Sequence, residues 1–168
     1  MTGRANPPEP PARDRPHAPG YGIPTGPEGM LSWGYVEERM SAARNYWVAT
    51  TRPDGRPHVT PVWGLWVDGT FYFGGTPHSR KARNLAENPN VVVHLESGDD
   101  VVVLEGTAEV VKDPDPALSE RVAAASIAKY GVGSSAIEGS YAVRPRVVLA
   151  WSEGGFPDTA TRWLFERD

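Results

Sequence analysis

Cysteine is absent from this 168-residue chain. That absence removes disulfides, thiolate catalysis, iron–sulfur clusters and cysteine-based zinc sites together. Lysine is scarce: Lys81, Lys112 and Lys129 stand alone, and arginine supplies the remainder of the 17 cations. No apolar run approaches the ~20 residues that a membrane-spanning helix needs. The first residues lack the apolar core of a secretory signal, so a soluble, cytoplasmic protein is expected, with no membrane partner. A net charge of −4 argues against general nucleic-acid binding. The four histidines, His17, His58, His78 and His94, share no metal-ligand spacing, and no metal site is expected. No serine lies in a nucleophile elbow. The segment before Lys81 lacks the glycine of a P-loop. Gly131-Val132-Gly133-Ser134-Ser135-Ala136 matches the dinucleotide fingerprint only loosely, because it follows a helical pattern where a strand is required.

Proline, by contrast, is plentiful, and eight prolines fall within residues 1–28 (Pro7, Pro8, Pro10, Pro11, Pro16, Pro19, Pro24 and Pro27). Proline removes a backbone donor and fixes φ, so this stretch reads as a flexible or extended tail before a domain over 29–168. With hydrophobic residues at 39%, that domain has enough apolar material for a core.

Within the domain the period of the apolar residues changes repeatedly. Trp33, Val36, Met40 and Ala43 recur at helical spacing after Ser32, a candidate N-cap. Tyr46–Thr51 is aromatic and β-branched and reads as a strand. Arg52-Pro53-Asp54-Gly55 is turn chemistry. In the next run Val59, Pro61, Trp63, Leu65 and Val67 alternate with His58, Thr60, Val62, Gly64 and Trp66. Both sets are partly apolar, so both faces are expected to be buried, with Pro61 marking an edge or bulge. Asp68-Gly69 signals a hairpin into Thr70–Phe73. Ser79–Glu87 reads as a short helix, Val91–Glu96 and Val101–Val111 as strands, and Pro116–Tyr130 as a helix capped by Gly131. Tyr141–Trp151 and Thr159–Arg167 read as the last strands. Consecutive hairpins imply an antiparallel sheet. The expected architecture is mainly β with peripheral helices (α+β), an antiparallel closed or split β-barrel.

The sharpest chemical feature is Ser79-Arg80-Lys81-Ala82-Arg83-Asn84. Two cations occupy the first turn of a helix, where the dipole is already positive. A phosphate there relieves the conflict, taking the Ser79 hydroxyl, backbone N–H groups, a guanidinium and an ammonium together. Gly74-Gly75 permits close backbone approach. The competing reading is a solvated basic helix face. Six tryptophans, Trp33, Trp47, Trp63, Trp66, Trp151 and Trp163, suit either core filling or a planar ring ligand.

Several segments in order resemble the pyridoxamine 5′-phosphate oxidase-like split-barrel proteins that bind flavin or deazaflavin. They are Arg52-Pro53-Asp54-Gly55-Arg56-Pro57-His58, Pro61-Val62-Trp63, Ser79 through Leu85 with Asn88-Pro89, and Glu105-Gly106-Thr107-Ala108. The resemblance covers Ser32 to Asp168. It implies a homodimer with the cofactor, coenzyme F420 or FMN, in a groove between subunits. It places Ser79, Arg80 and Lys81 on the cofactor phosphate. It sets Val59-Thr60-Pro61-Val62 beside the ring, and Phe73 and Gly74 near the ribityl chain. Trp151 and Arg162 look similar to a family tryptophan and arginine that reach the cofactor, expected from the other subunit. The vitamin-B6 oxidases carry an Arg-x-His pair before that arginine. Here Asp158 and Ala160 stand in its place, and an acidic residue repels a phosphorylated substrate.

Trp63-Gly64, Tyr46-Trp47 and Thr161-Arg162-Trp163 look similar to a branch whose relatives use F420. The arginine-rich, glycine- and proline-rich composition fits a GC-rich genome and tilts the choice toward the deazaflavin by association. Its acidic tail calls for further cations, for which Arg44, Arg52, Arg56 and Arg83 are candidates. The implied function is an oxidoreductase acting on a small organic substrate, with no catalytic acid or base assigned. Two alternatives stay open: a non-catalytic cofactor carrier, and a haem-binding split barrel ligated by His58, His78 or His94.

Overall fold

The computed structural model describes residues 11–133 and 137–165. In chain order they form β1 (Arg13–Asp14), α1 (Trp33–Ala42), β2 (Tyr46–Thr51), β3 (Pro57–Val62), β4 (Gly64–Val67) and β5 (Thr70–Phe73). Then come α2 (Arg80–Glu87), β6 (Asn90–Leu95), β7 (Asp100–Val110), α3 (Pro116–Tyr130), β8 (Tyr141–Ser152) and β9 (Thr161–Leu164). The expected extension of the last strand over 166 and 167, the Ser134-Ser135-Ala136 end of the glycine-containing segment, and residues 1–10 of the tail lie outside the described residues.

Every pairing is antiparallel, in the order β1-β9-β8-β7-β6-β2-β3, with β4 on β5 and β5 on β8. The α+β split barrel is what the structure shows. Its split is visible in β8: Tyr141–Val143 pair with β5, whereas Val147–Ala150 pair with β9. The change of partner coincides with a register shift at Glu105/Gly106 in β7. Pro145 lies opposite, with no N–H to give the ladder. Gly106 has no side chain because a Cβ there would stand 2.2 Å from the Arg144 carbonyl oxygen. A bulge of this kind bends the strand and lets it serve two partners.

No ladder joins β3 to β4, so the sheet is not closed by hydrogen bonds; the chain itself links them through Trp63. The sequence reading of one continuous, two-sided buried strand is corrected here. The odd positions of β3 are exposed, and only β4 is buried on both faces. Trp66, Phe71 and Phe73 face the main core with Tyr46, Val48, Val93, Leu104, Val143, Val148 and Trp163, and Val36 and Met40 of α1 plug it. Leu65, Val67 and Tyr72 face a smaller cluster with Val122 of α3 and Ile137. Trp163 is 1% exposed, so it is a core residue and not a cofactor contact within the chain. Asp68 and Gly69 both take positive φ, as a tight hairpin requires. Ser32 sits at the N-cap of α1 but makes no side-chain capping bond.

Residues 11–28 do not hang free as a flexible tail. β1 adds to β9, and Arg15 gathers the carbonyls of Gly26, Glu28, Asp158 and Ala160 at 2.5–2.9 Å. Proline prevents regular structure but does not prevent a fixed path, and here one guanidinium fixes that path.

Gly64 is the tightest point of the corner: a Cβ would stand 2.2 Å from the Phe71 ring. Gly64→Ala is expected to lose about 1–3 kcal/mol of stability by overpacking, read as a lowered urea midpoint at unchanged slope.

Candidate functional site

Helix α2 is short, and its placement is set by its buried face. Ala82, Asn84 and Leu85 are buried. Asn84, fully buried, donates from Nδ2 to the Thr50 hydroxyl at 2.9 Å, which pins the helix to β2. The Ser79 hydroxyl caps the helix by accepting from the Ala82 amide at 3.3 Å. No acidic residue lies in the first turn.

Cations concentrate at this helix start. The guanidinium of Arg80 is held below its ordinary pKa, first by Arg83 and then by partial desolvation and by Arg52, with Asp54 pulling weakly the other way. Asp54 itself is engaged by Arg56 at 2.8 Å. Among the described residues, neither Arg80, Lys81 nor Arg83 has a carboxylate within 4.0 Å. His58 on β3 faces the same field. Its pKa is lowered by desolvation, then by Arg52, Arg80 and Lys81, and its buried Nδ1 has no hydrogen-bond partner among the described residues. Gly74 has open space where a Cβ would be, and a Cβ on Gly75 would crowd the Lys81 side chain at 3.0 Å. Like charges gathered without carboxylate partners at a helix N-terminus attract anions, and a phosphate-sized group is chemically suited to such a place.

The structure brings together Ser79, Arg80, Lys81, the Gly74 loop and the β3 edge, but holds Trp151 and Arg162 elsewhere. Phe73 pairs with Tyr141 at the start of the 12-residue β8, and Trp151 lies near that strand's other end. Arg162 binds Asp14 bidentately at 2.6 and 2.8 Å and lowers the Asp14 carboxyl pKa. Phe73 is buried at 2% exposure, so its side chain belongs to the core and only its backbone borders the loop.

Val59 and Pro61 of β3 nevertheless lie on the same outer face of the sheet as Arg162, whereas Thr50 and His58 point to the other face, where α2 packs. Residues directly opposite in an antiparallel pair point the same way. Pro61–Trp47–His94–Val103–Leu149–Arg162 form one such row, and Val59–Ala49–Val92–Glu105–Val147–Leu164 the next. All twelve side chains are exposed or half-buried, and most are apolar. Val59 is 52% and Leu164 45% exposed. Thr60 and Val62 face inward and are half-buried. β3 and β8 stand about 19 Å apart along the sheet at ~4.8 Å per strand.

Sequence reasoning missed three features. Asn84 lies in the basic motif, and a buried amide on the apolar side of a helix was its only signal. The orphaned Nδ1 of His58 depends on neighbours far along the chain. Lys129 donates to the Tyr46 hydroxyl at 2.7 Å, a contact no local pattern announces.

A sequence profile described as pyridoxamine 5′-phosphate oxidase matches residues 35–152. No curated protein matches the chain. Among solved structures, a conserved hypothetical protein of Mycobacterium tuberculosis is 26% identical, with a TM-score of 0.62, over 77% of this chain and 90% of its own. A protein named F420 reductase is 25% identical, with a TM-score of 0.51, over 73% of this chain and 98% of its own. A FAD-binding protein of Mesorhizobium loti, 20% identical with a TM-score of 0.57, covers 81% of this chain and 96% of its own and shares the fold. Profile and fold agree, and the chain belongs to the pyridoxamine 5′-phosphate oxidase family.

Proposed function

We propose that this protein is a flavin- or deazaflavin-dependent oxidoreductase that works as a homodimer. Hydride passes between coenzyme F420 or FMN and a small organic substrate. The observation that carries this reading is the uncompensated cluster of Arg80, Lys81, Arg83 and Arg52 at the start of α2. It fits a cofactor phosphate, and the surplus arginines favour F420, whose acidic tail carries more negative charge than FMN. The similarity to the protein named F420 reductase supports the same choice.

In this reading Ser79, Arg80 and Lys81 hold the phosphate. Gly74 lets the chain approach closely. The exposed β3 edge, Val59 to Val62, offers backbone groups and apolar surface to the ring. A bound cofactor of this class supplies the hydride chemistry itself. The chain binds it, orients it and keeps water off one face. No side chain is assigned as acid or base.

The apolar outer face supports the dimer. A largely apolar, partly uncovered sheet face of this kind suits contact with a second copy. A two-fold copy laid on that face brings the β8–β9 end of one subunit toward the β3 edge of the other. Trp151 and Arg162 then serve the partner's cofactor, as the resemblance implies. Oxidation of pyridoxamine phosphate itself is disfavoured. Asp158 is acidic, Ala160 is fully buried, and the Arg15 guanidinium beside them is spent on backbone carbonyls, so these positions offer a phosphate no cationic grip. A cytoplasmic setting accords with this role; among the described residues, no helix is long and apolar enough to cross a membrane.

Arg80→Ala and Lys81→Ala are each expected to weaken FMN or F420 binding by about 1.5–3 kcal/mol, the worth of one charged hydrogen bond. Fluorescence titration measures it; unchanged affinity in both variants refutes the cradle. For the dimer, light scattering at micromolar concentration is expected to give twice the chain mass, and Val59→Asp with Leu149→Asp to give the monomer. His58 provides a third check. Desolvation, and after it the neighbouring cations, keep the free imidazole below its ordinary 6.5, and docking of an anion offsets the cations' share. The NMR titration midpoint of His58 is therefore expected to move up when FMN is added.

A further inference from the structure

A second cationic centre lies apart from the α2 cradle. Ser41 and Ala42 at the end of α1, Leu65 and Trp66 of β4, and Ala125, Ala128 and Lys129 of α3 line a cleft of about 420 Å³. Ala125, Ala128 and Lys129 fall at i, i+3 and i+4, so they share one side of the helix. Small residues open the slot, Leu65 and Trp66 make its walls apolar, and Lys129 is its only charged lining residue.

That charge is unmatched. Lys129 is half-buried, and among the described residues no carboxylate lies within 4.0 Å of it. Its Nζ donates to the Tyr46 hydroxyl at 2.7 Å and reaches the Gly64 carbonyl only at 3.4 Å. An ammonium has three donors, so at least one is unspent. Tyr46 is no counter-ion: burial pushes its phenol pKa up, and its own proton goes to the Met40 carbonyl. Desolvation pulls the Lys129 pKa down to about 8. The indole Nε1 of Trp66, which lines the cleft but turns its ring toward the main core, is buried and finds no acceptor among the described residues.

We infer that this cleft is a binding site for a small monocarboxylate with an apolar tail, its carboxylate on Lys129 Nζ and its tail along Leu65 and Trp66. One cation matches one negative charge, and the walls offer too few donors for a phosphate dianion. The volume lies within the range of small-molecule sites. The inference does not rest on the cofactor reading, since it uses none of the residues around α2.

The test uses the full chain and sodium hexanoate, with 1-hexanol as the uncharged control, in calorimetric titration. Saturable one-to-one binding of hexanoate, and none of hexanol, is expected. Lys129→Met keeps the stem and removes the charge, and is expected to weaken hexanoate at least about tenfold. Ala125→Phe fills the slot without touching the amine and is expected to do the same, which keeps the test open if the first variant folds poorly. The wild type gives a mutation-free readout: affinity holds below pH 8 and falls by about tenfold per unit above it as the ammonium loses its proton. Absence of saturable hexanoate binding, equal binding of hexanol, a flat pH profile, or undiminished affinity in folded variants overturns the site. FMN titration of Lys129→Met, expected to match the wild type, separates this outcome from any failure of the α2 cradle.

Discussion

The buried hydrogen bond from Asn84 to Thr50 is the contact on which the candidate cofactor site depends. It ties the basic helix to the sheet at a point where neither partner meets water. A buried amide left without its partner costs about 1–3 kcal/mol, so the helix has little freedom to roll. That matters because the charges it carries repel one another. Exposed, mobile arginines disperse; arginines on a pinned helix cannot fully escape. Arg80 registers the result in its lowered pKa, and His58 in the part of its lowering that follows desolvation. An anion at the helix start offsets the repulsion among these cations.

The second constraint is the double duty of β8. By pairing first with β5 and then with β9, it opens the barrel on one side and spreads the remaining strands into a broad outer surface. The bulge at Gly106 and the missing donor of Pro145 make that change of partner feasible. The surface so exposed is rich in Val, Leu and Trp where a solvated sheet face carries polar residues. Cradle and apolar face are therefore products of one topology, the first at the β2–β3 edge and the second across β2 to β9.

Much of this was legible in the residues. Strand and helix limits followed from period, turn chemistry and caps, because Asp68-Gly69, Pro116 and Gly131 act locally. The basic start of α2 was legible for the same reason: its conflict with the helix dipole lies within one turn. Contacts set by distant segments were not. The alternation from His58 to Val67 reads as one strand, and nothing in it marks Trp63 as the corner; that follows from Tyr130, whose ring stacks on Trp63 at 4.5 Å and whose hydroxyl meets both backbone groups of Gly64. The path of residues 11–28 depends on carbonyls near residue 160. The face that Arg162 shares with Val59 emerges only when the registers of six strands are combined.

The two cationic centres differ in how they are charged, and this difference predicts how each behaves. Around α2 the charges are many and lie near solvent, so their field is long in reach and weakened by salt. Such a field draws in a multiply charged ligand and rises with its charge. At Lys129 there is one charge, half out of water, met by neutral dipoles and by the faces of the Tyr46 and Tyr130 rings. Its attraction is short in reach, resists screening and switches off with a single proton. On the two proposals, a ligand bearing several charges suits the first centre, and one bearing a single charge on an apolar body the second. A chain with only three lysines places one at each centre, Lys81 among arginines that stay charged at every physiological pH and Lys129 where its charge is open to titration.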